Sequence, residues 1–170
     1  MYTEKQFEEK YSLYDKMVYK ICLSYLENAS DAEDIFQDSF LEFYNTKKTF
    51  DSTEYEKYFL IRLTINNCKD FLRKKKKQIT IYNNDLVNSF KNITVEQDAG
   101  LKLIYLLPEK QRELIVLRYI NGLSSKEIAV IFGKSDASIR KCLERCRQTL
   151  KNILEEKNDI GRQIRETTGT

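Results

Sequence analysis

The chain has 170 residues, 29 of them lysine or arginine and 26 aspartate or glutamate, with no histidine and a net charge of +3. Five glycines and one proline argue against a turn-dense β protein, and a chain without histidine lacks the commonest general base. No run approaches the roughly 18 apolar residues of a membrane span, and the first twenty residues lack a signal peptide's apolar centre. The expectation is therefore a cytoplasmic protein without membrane insertion.

In chain order, Phe7, Tyr11, Tyr14, Val18, Ile21, Cys22 and Tyr25 recur at three- and four-residue spacing, which predicts an amphipathic first helix. Residues 28–30 interrupt it. Ser30 and Glu33 have the spacing of a capping box and predict the start of a second helix. Its inner stripe is Ile35, Phe36, Phe40 and Phe43, with Ser39 in phase. A polar stretch over 45–53 precedes a third helix expected over about 54–75, with Tyr55, Phe59, Leu63, Asn67 and Phe71, and Leu60 and Leu72 beside them, on its buried side.

Residues 78–97 lose periodicity and read as a linker. Helical pattern resumes near Asp98, and Pro108 fits a first helical turn, where its missing N–H costs little. Asn121-Gly122 is a helix stop. Ser124 and Glu127 form a second capping box, Ile128, Ala129 and Ile131-Phe132 a short buried helix, and Gly133 a turn. Ser135 then caps a last helix whose inner face is Ile139, Leu143, Cys146 and Leu150. The predicted fold is all-α: two small helical bundles joined by a linker, over 1–77 and 98–156, the second containing a helix-turn-helix. A tail over 157–170 has no assigned role.

Charge is unevenly spread. Residues 1–46 carry a net −6, residues 47–80 a net +6, and residues 101–157 a net +5. Two basic blocks behind an acidic one suit two nucleic-acid contacts and a separate partner surface. In residues 124–150 a small residue at Ala129, a glycine turn and a basic outer face together favour DNA binding over a plain helical hairpin. Such a helix can enter the major groove, its first turns meeting base edges while flanking basic groups hold phosphates. Ser138, Arg140, Lys141, Glu144 and Arg145 are the candidates. Cys142 and Cys146 sit four apart, and without further ligands they read as packed, reduced thiols. No glycine-rich phosphate loop is present, so neither enzyme, metal nor cofactor is expected.

The run Leu107-Pro108-Glu109-Lys110-Gln111-Arg112-Glu113, followed by Leu117-Arg118, Gly122-Leu123-Ser124 and Glu127-Ile128-Ala129, resembles region 4 of RNA polymerase sigma factors. Ser138-Ile139-Arg140-Lys141, Leu143 and Arg145-Cys146-Arg147 resemble that region's ending, with cysteine in place of a packed alanine. Other helix-turn-helix regulators share much of this pattern, and the first half decides. Ala32-Glu33-Asp34-Ile35-Phe36-Gln37-Asp38-Ser39-Phe40 resembles the second helix of sigma region 2. Phe59-Leu60, Leu63-Thr64, Asn66, Asp70 and Leu72-Arg73 resemble the helix that follows, with Phe59 in place of a tryptophan. Both regions in order, with no room for others, resemble the extracytoplasmic-function type.

The resemblance implies partners and sites. Asp34, Gln37, Asp38 and Leu41 would dock on the β′ clamp helices of core RNA polymerase, an acidic face that suits a basic protein and repels DNA. Core polymerase, through β′ and the β subunit, and promoter DNA are the implied partners, and an anti-sigma factor is left open. Asn66 would receive an unstacked minus-10 base, with Lys47 and Lys48 beside it, and Arg73, Lys74, Lys75, Lys76 and Lys77 would grip phosphates. The helix-turn-helix would read minus-35 duplex. Tyr55 and Tyr58 could stack on bases, but their spacing assigns them to the core or its edge. Two other readings stay open: a helix-turn-helix repressor or activator without polymerase, and a sigma-like adaptor controlled by a protein partner.

Overall fold

In the computed structural model, residues 2–26, 28–82 and 104–168 are described, side chains at 78–82 and 157–168 excepted. Every regular element among them is helical: α1 (Glu4–Leu26), α2 (Ala29–Tyr44), α3 (Thr53–Tyr82), α4 (Glu109–Ile115), a π-helical turn (Val116–Ile120), α5 (Ser125–Phe132) and α6 (Asp136–Thr168). The expected resumption of helix near Asp98 lies outside the described residues. α3 runs on past the lysines through Tyr82, into what the sequence reads as linker. The tail without an assigned role continues α6 to Thr168.

α1, α2 and α3 pack into one bundle around Val18, Ile21, Cys22, Phe43, Leu60, Ile61, Thr64 and Cys68, all almost fully buried. The cap of α2 differs from expectation. Asn28, with φ −137° and ψ 128°, accepts a hydrogen bond from the Asp31 N–H, so the helix starts at Ala29 and Ser30 lies inside it. An asparagine oxygen caps as well as a serine's, and the upstream residue took the role.

The buried side of α3 differs in part. Leu60 and Leu63 are in the core as expected, but Glu56, Ile61, Thr64 and Cys68 join them there, whereas Tyr55 is 58% exposed and Phe59 and Phe71 are half-buried. The cause is a long-range polar cluster. Glu56 accepts hydrogen bonds from the hydroxyls of Tyr2 (3.0 Å) and Tyr14 (3.1 Å) and pairs with Lys10 at 2.7 Å. Burial, then the carboxylate, holds both phenols well above their usual range. A buried carboxylate is tolerated only with its lone pairs satisfied, and this one ties the N-terminal segment to α3. Glu56→Ala leaves the Tyr2 phenol and the Lys10 ammonium without their carboxylate and Tyr14 with only its 3.5 Å bond to the Thr53 carbonyl. It is expected to cost about 2–3 kcal/mol in urea unfolding; a loss under about 0.5 kcal/mol would show that the cluster is not needed.

The second bundle is built by local chemistry. Ser124 Oγ accepts from the Glu127 N–H (3.2 Å), and the Glu127 carboxylate accepts from the Ser124 N–H (2.8 Å). Those bonds, with Lys57, hold the Glu127 carboxyl at about 2. Gly133 ends α5 at φ 61°, a left-handed position that suits glycine, and the Ser138 N–H donates to Ser135 Oγ at the start of α6. Ile128, Ala129, Ile131, Ile139, Leu143 and Cys146 close the core. The fold class read from the sequence is the one observed.

The two bundles touch. Tyr105 donates its hydroxyl to the Leu23 carbonyl (2.7 Å) and Arg112 Nη1 to the Ser24 carbonyl (3.2 Å), satisfying last-turn carbonyls of α1 that lack helical partners. Lys69 pairs with the buried Glu113, and Lys57 with Glu127, each at 3.2 Å.

Candidate polymerase and nucleic-acid interfaces

Burying Ala32, Ile35, Ser39, Phe40 and Phe43 on one side of α2 leaves Asp34, Gln37, Asp38 and Leu41 exposed on the other, Leu41 at 61%. Asp38 and Leu41 border a cleft of about 530 Å³ between α2 and α3, with Glu42, Asn45, Asn67, Asp70, Phe71 and Lys74. Asn67 donates to Ser39 Oγ (3.3 Å) and Glu42 Oε2 (3.2 Å), fixing one wall. Three carboxylates around an apolar floor make a surface complementary to a basic helix. Sequence reasoning missed Glu42, which follows Leu41 directly, and gave Asp70 no surface role. Glu42 lies one helical turn from Asp38 on α2 itself, a spacing the sequence already offered, and only the packing of α2 on α3 brings Asp70 to them.

A second cleft, of about 410 Å³, is lined by Lys48, Tyr55, Tyr58, Phe59, Arg62, Leu63 and Asn66, and by Val130 and Ile131 of α5. Asn66 and Lys48 share it; Lys47 is exposed outside its lining. The Lys48 ammonium stands 4.6 Å from the Phe59 ring centre, and Tyr55 and Tyr58 meet edge to face at 6.2 Å. Exposed aromatic faces, cations and an amide in one cleft can stack on a base, hold a phosphate and bond a base edge. Tyr55, Tyr58 and Arg62 are therefore additions to the site. The signal for Tyr55 was ambiguous, since the aromatic spacing of α3 fits either face.

The basic end of α3 is not uniform. Lys74, Lys76 and Lys77 are exposed, whereas Lys75 is half-buried, 2.6 Å from Asp31 and over the Phe71 ring. Arg73 pairs with Asp70 at 3.0 Å. On α6, Ser138, Arg140, Lys141, Glu144 and Arg145 are all exposed, opposite the buried Ile139, Leu143 and Cys146. Arg140 pairs with Asp136 and Glu144 with Arg147, each at 3.2 Å; such exposed pairs are weak and exchange readily for other partners. Cys146 is buried, its thiol 3.8 Å from the Gln111 carbonyl and raised to about 11 by burial. Packing thus accounts for Cys146, and among the described residues no cluster could hold a metal ion. No described helix is long and apolar enough to cross a membrane.

Comparison with known proteins shows the family. Residues 11–78 match the family model of sigma-70 region 2, and residues 101–150 that of sigma-70 region 4. The ECF RNA polymerase sigma factor SigM of Bacillus subtilis is 32% identical over 86% of this chain and 93% of its own length. SigW of the same organism is 28% identical, over 88% and 89%. The fold is shared with the sigma factor RpoE of Bartonella quintana, solved with the anti-sigma factor NepR (TM-score 0.74, 21% identity, covering 89% of this chain and 98% of that one). It is shared also with CnrH, solved with the cytosolic domain of CnrY (TM-score 0.67, 19% identity, 91% and 90%). The chain belongs to the extracytoplasmic-function family of RNA polymerase sigma factors, which direct promoter-specific transcription.

Proposed function

We propose that the chain works by distributing binding energy over three surfaces, with no catalysis of its own, in the cytoplasm where polymerase and promoter meet. The acidic α2–α3 face, Asp34, Gln37, Asp38 and Leu41 with Glu42 and Asp70, anchors the first bundle on the clamp helices. Ser138, Lys141 and Arg145 of α6, flanked by Arg140 and Glu144, read the minus-35 duplex. Asn66, beside Lys48, Tyr55, Tyr58 and Arg62, takes a minus-10 base once it unstacks, while Lys47, Arg73, Lys74, Lys75, Lys76 and Lys77 add phosphate contacts, Lys75 after release from Asp31. A protein that binds the melted strand better than the duplex shifts DNA toward melting. The co-lining of one cleft by an amide, two cations and two tyrosines supports this reading best. The anti-sigma complex of the Bartonella relative supports an anti-sigma factor as a further partner.

Asn66→Ala should leave core binding intact and lower promoter opening about tenfold, the loss of one or two base-edge bonds. Permanganate reactivity of minus-10 thymines measures it. Opening at the wild-type level would remove Asn66 from base capture.

A further inference from the structure

Tyr55, Tyr58, Arg62 and Asn66 follow one another at spacings of three and four, so α3 presents them to the nucleobase cleft along one stripe. The apolar core behind this helix begins only at Leu60. Among the described residues 51–59, Glu56 alone is buried. The turns that carry Tyr55 and Tyr58 therefore have a carboxylate as their one buried side chain.

That carboxylate is held from the N-terminal end of the chain. The hydroxyls of Tyr2 and Tyr14 donate to it at 3.0 and 3.1 Å, and Lys10 pairs with it at 2.7 Å. Tyr14 also donates to the carbonyl of Thr53, the first residue of α3, at 3.5 Å. The Tyr2 ring stands 5.0 Å from that of Phe43, and Phe43 6.5 Å from Phe59, the ring under Lys48. The cluster thus reaches both the helical wall of the cleft and the loop that precedes it.

Apolar packing is non-directional, so a leucine at position 56 would fill the space without choosing an angle. Hydrogen bonds are directional, and those converging on Glu56 fix the roll of α3 about its axis. A side chain about 6 Å from a helix axis moves about 2 Å when the helix rolls by about 20°. A binding constellation tolerates about 0.5 Å.

We propose that Glu56 is a positioning residue for base capture: held by Tyr2, Lys10 and Tyr14, it sets the roll of α3 and so aims Asn66, Tyr55 and Tyr58 at the unstacked base without touching DNA itself. The inference rests on the reading of the Asn66 cleft given above.

The test compares holoenzymes on a promoter mapped for this protein, well below the melting midpoint of each variant. Glu56→Ala should lower permanganate reactivity of minus-10 thymines about tenfold, as Asn66→Ala does, and leave core binding unchanged. Glu56→Gln keeps an acceptor for the phenols and should stay within about threefold of wild type. Tyr2→Phe with Tyr14→Phe keeps both rings and should lower opening by at least about threefold, which serves if Glu56→Ala folds poorly. Because Glu56 acts through the cleft, Glu56→Ala joined to Asn66→Ala should cost about tenfold, where independent effects would multiply to about a hundredfold. Wild-type opening in the Glu56→Ala or double tyrosine variant, core binding lost in step with opening, a glutamine variant no better than alanine, or multiplied losses would overturn the proposal. Wild-type opening in Asn66→Ala would remove the cleft reading and the inference with it. Impaired opening in Asn66→Ala beside full opening in Glu56→Ala would sink the positioning role alone.

Discussion

Asp38→Arg is expected to weaken binding to core RNA polymerase at least thirtyfold, with the melting temperature changed by no more than about 2 °C. Asp38 is exposed and takes no part in the α2 core, so its replacement belongs with surface changes worth within about 0.5 kcal/mol of stability. At the interface the arithmetic differs. The side chain borders the acidic α2–α3 cleft with Glu42 and Asp70, and truncating one partner of a desolvated interfacial charge pair costs about 2–5 kcal/mol. Reversal adds repulsion to that loss, and 2 kcal/mol alone is about thirtyfold. Titration of labelled protein with core, followed by anisotropy, measures it. Wild-type affinity would exclude this face as the anchor.

The second large effect is on α6. Lys141→Ala with Arg145→Ala should lower transcription from promoters carrying a minus-35 element about ten- to a hundredfold and leave core binding unchanged. Ile139, Leu143 and Cys146 are buried, which turns Ser138, Lys141 and Arg145 outward on the opposite face. A good bidentate base contact is worth about 1–3 kcal/mol. Each lost phosphate contact should also reduce the salt dependence of promoter binding by about one unit of slope. An unimpaired double variant would leave α6 without a role in readout.

The second bundle was legible in the sequence because local chemistry builds it. Ser124 and Glu127 cap each other across three residues, Gly133 supplies the positive φ that ends α5, and Cys146 lies in phase with Ile139 and Leu143. α2 was legible from its phenylalanine stripe, although Asn-Ala-Ser offers two competent caps and the first of them is used. α3 was harder. Its buried face turns on Glu56, whose partners Tyr2, Lys10 and Tyr14 lie more than 40 residues away, and no periodicity encodes a buried acid. The same limit hid the exposure of Tyr55, the turning of Lys75 onto Asp31, and the joining of Asp70 to Asp38. The contact between bundles was least legible of all. Lys57 and Glu127 are 70 positions apart, and each has a sufficient local explanation as an exposed charge or a capping residue.

The central claim is that this chain makes core polymerase promoter-specific, and mapping transcript 5′ ends tests it most directly. Core RNA polymerase with the purified protein, on fragmented genomic DNA of the host, should give discrete start sites that share two upstream elements and vanish without the protein. Tight core binding with no specific start sites would contradict the account and favour an adaptor. Absence of core binding would leave a helix-turn-helix regulator that acts without polymerase.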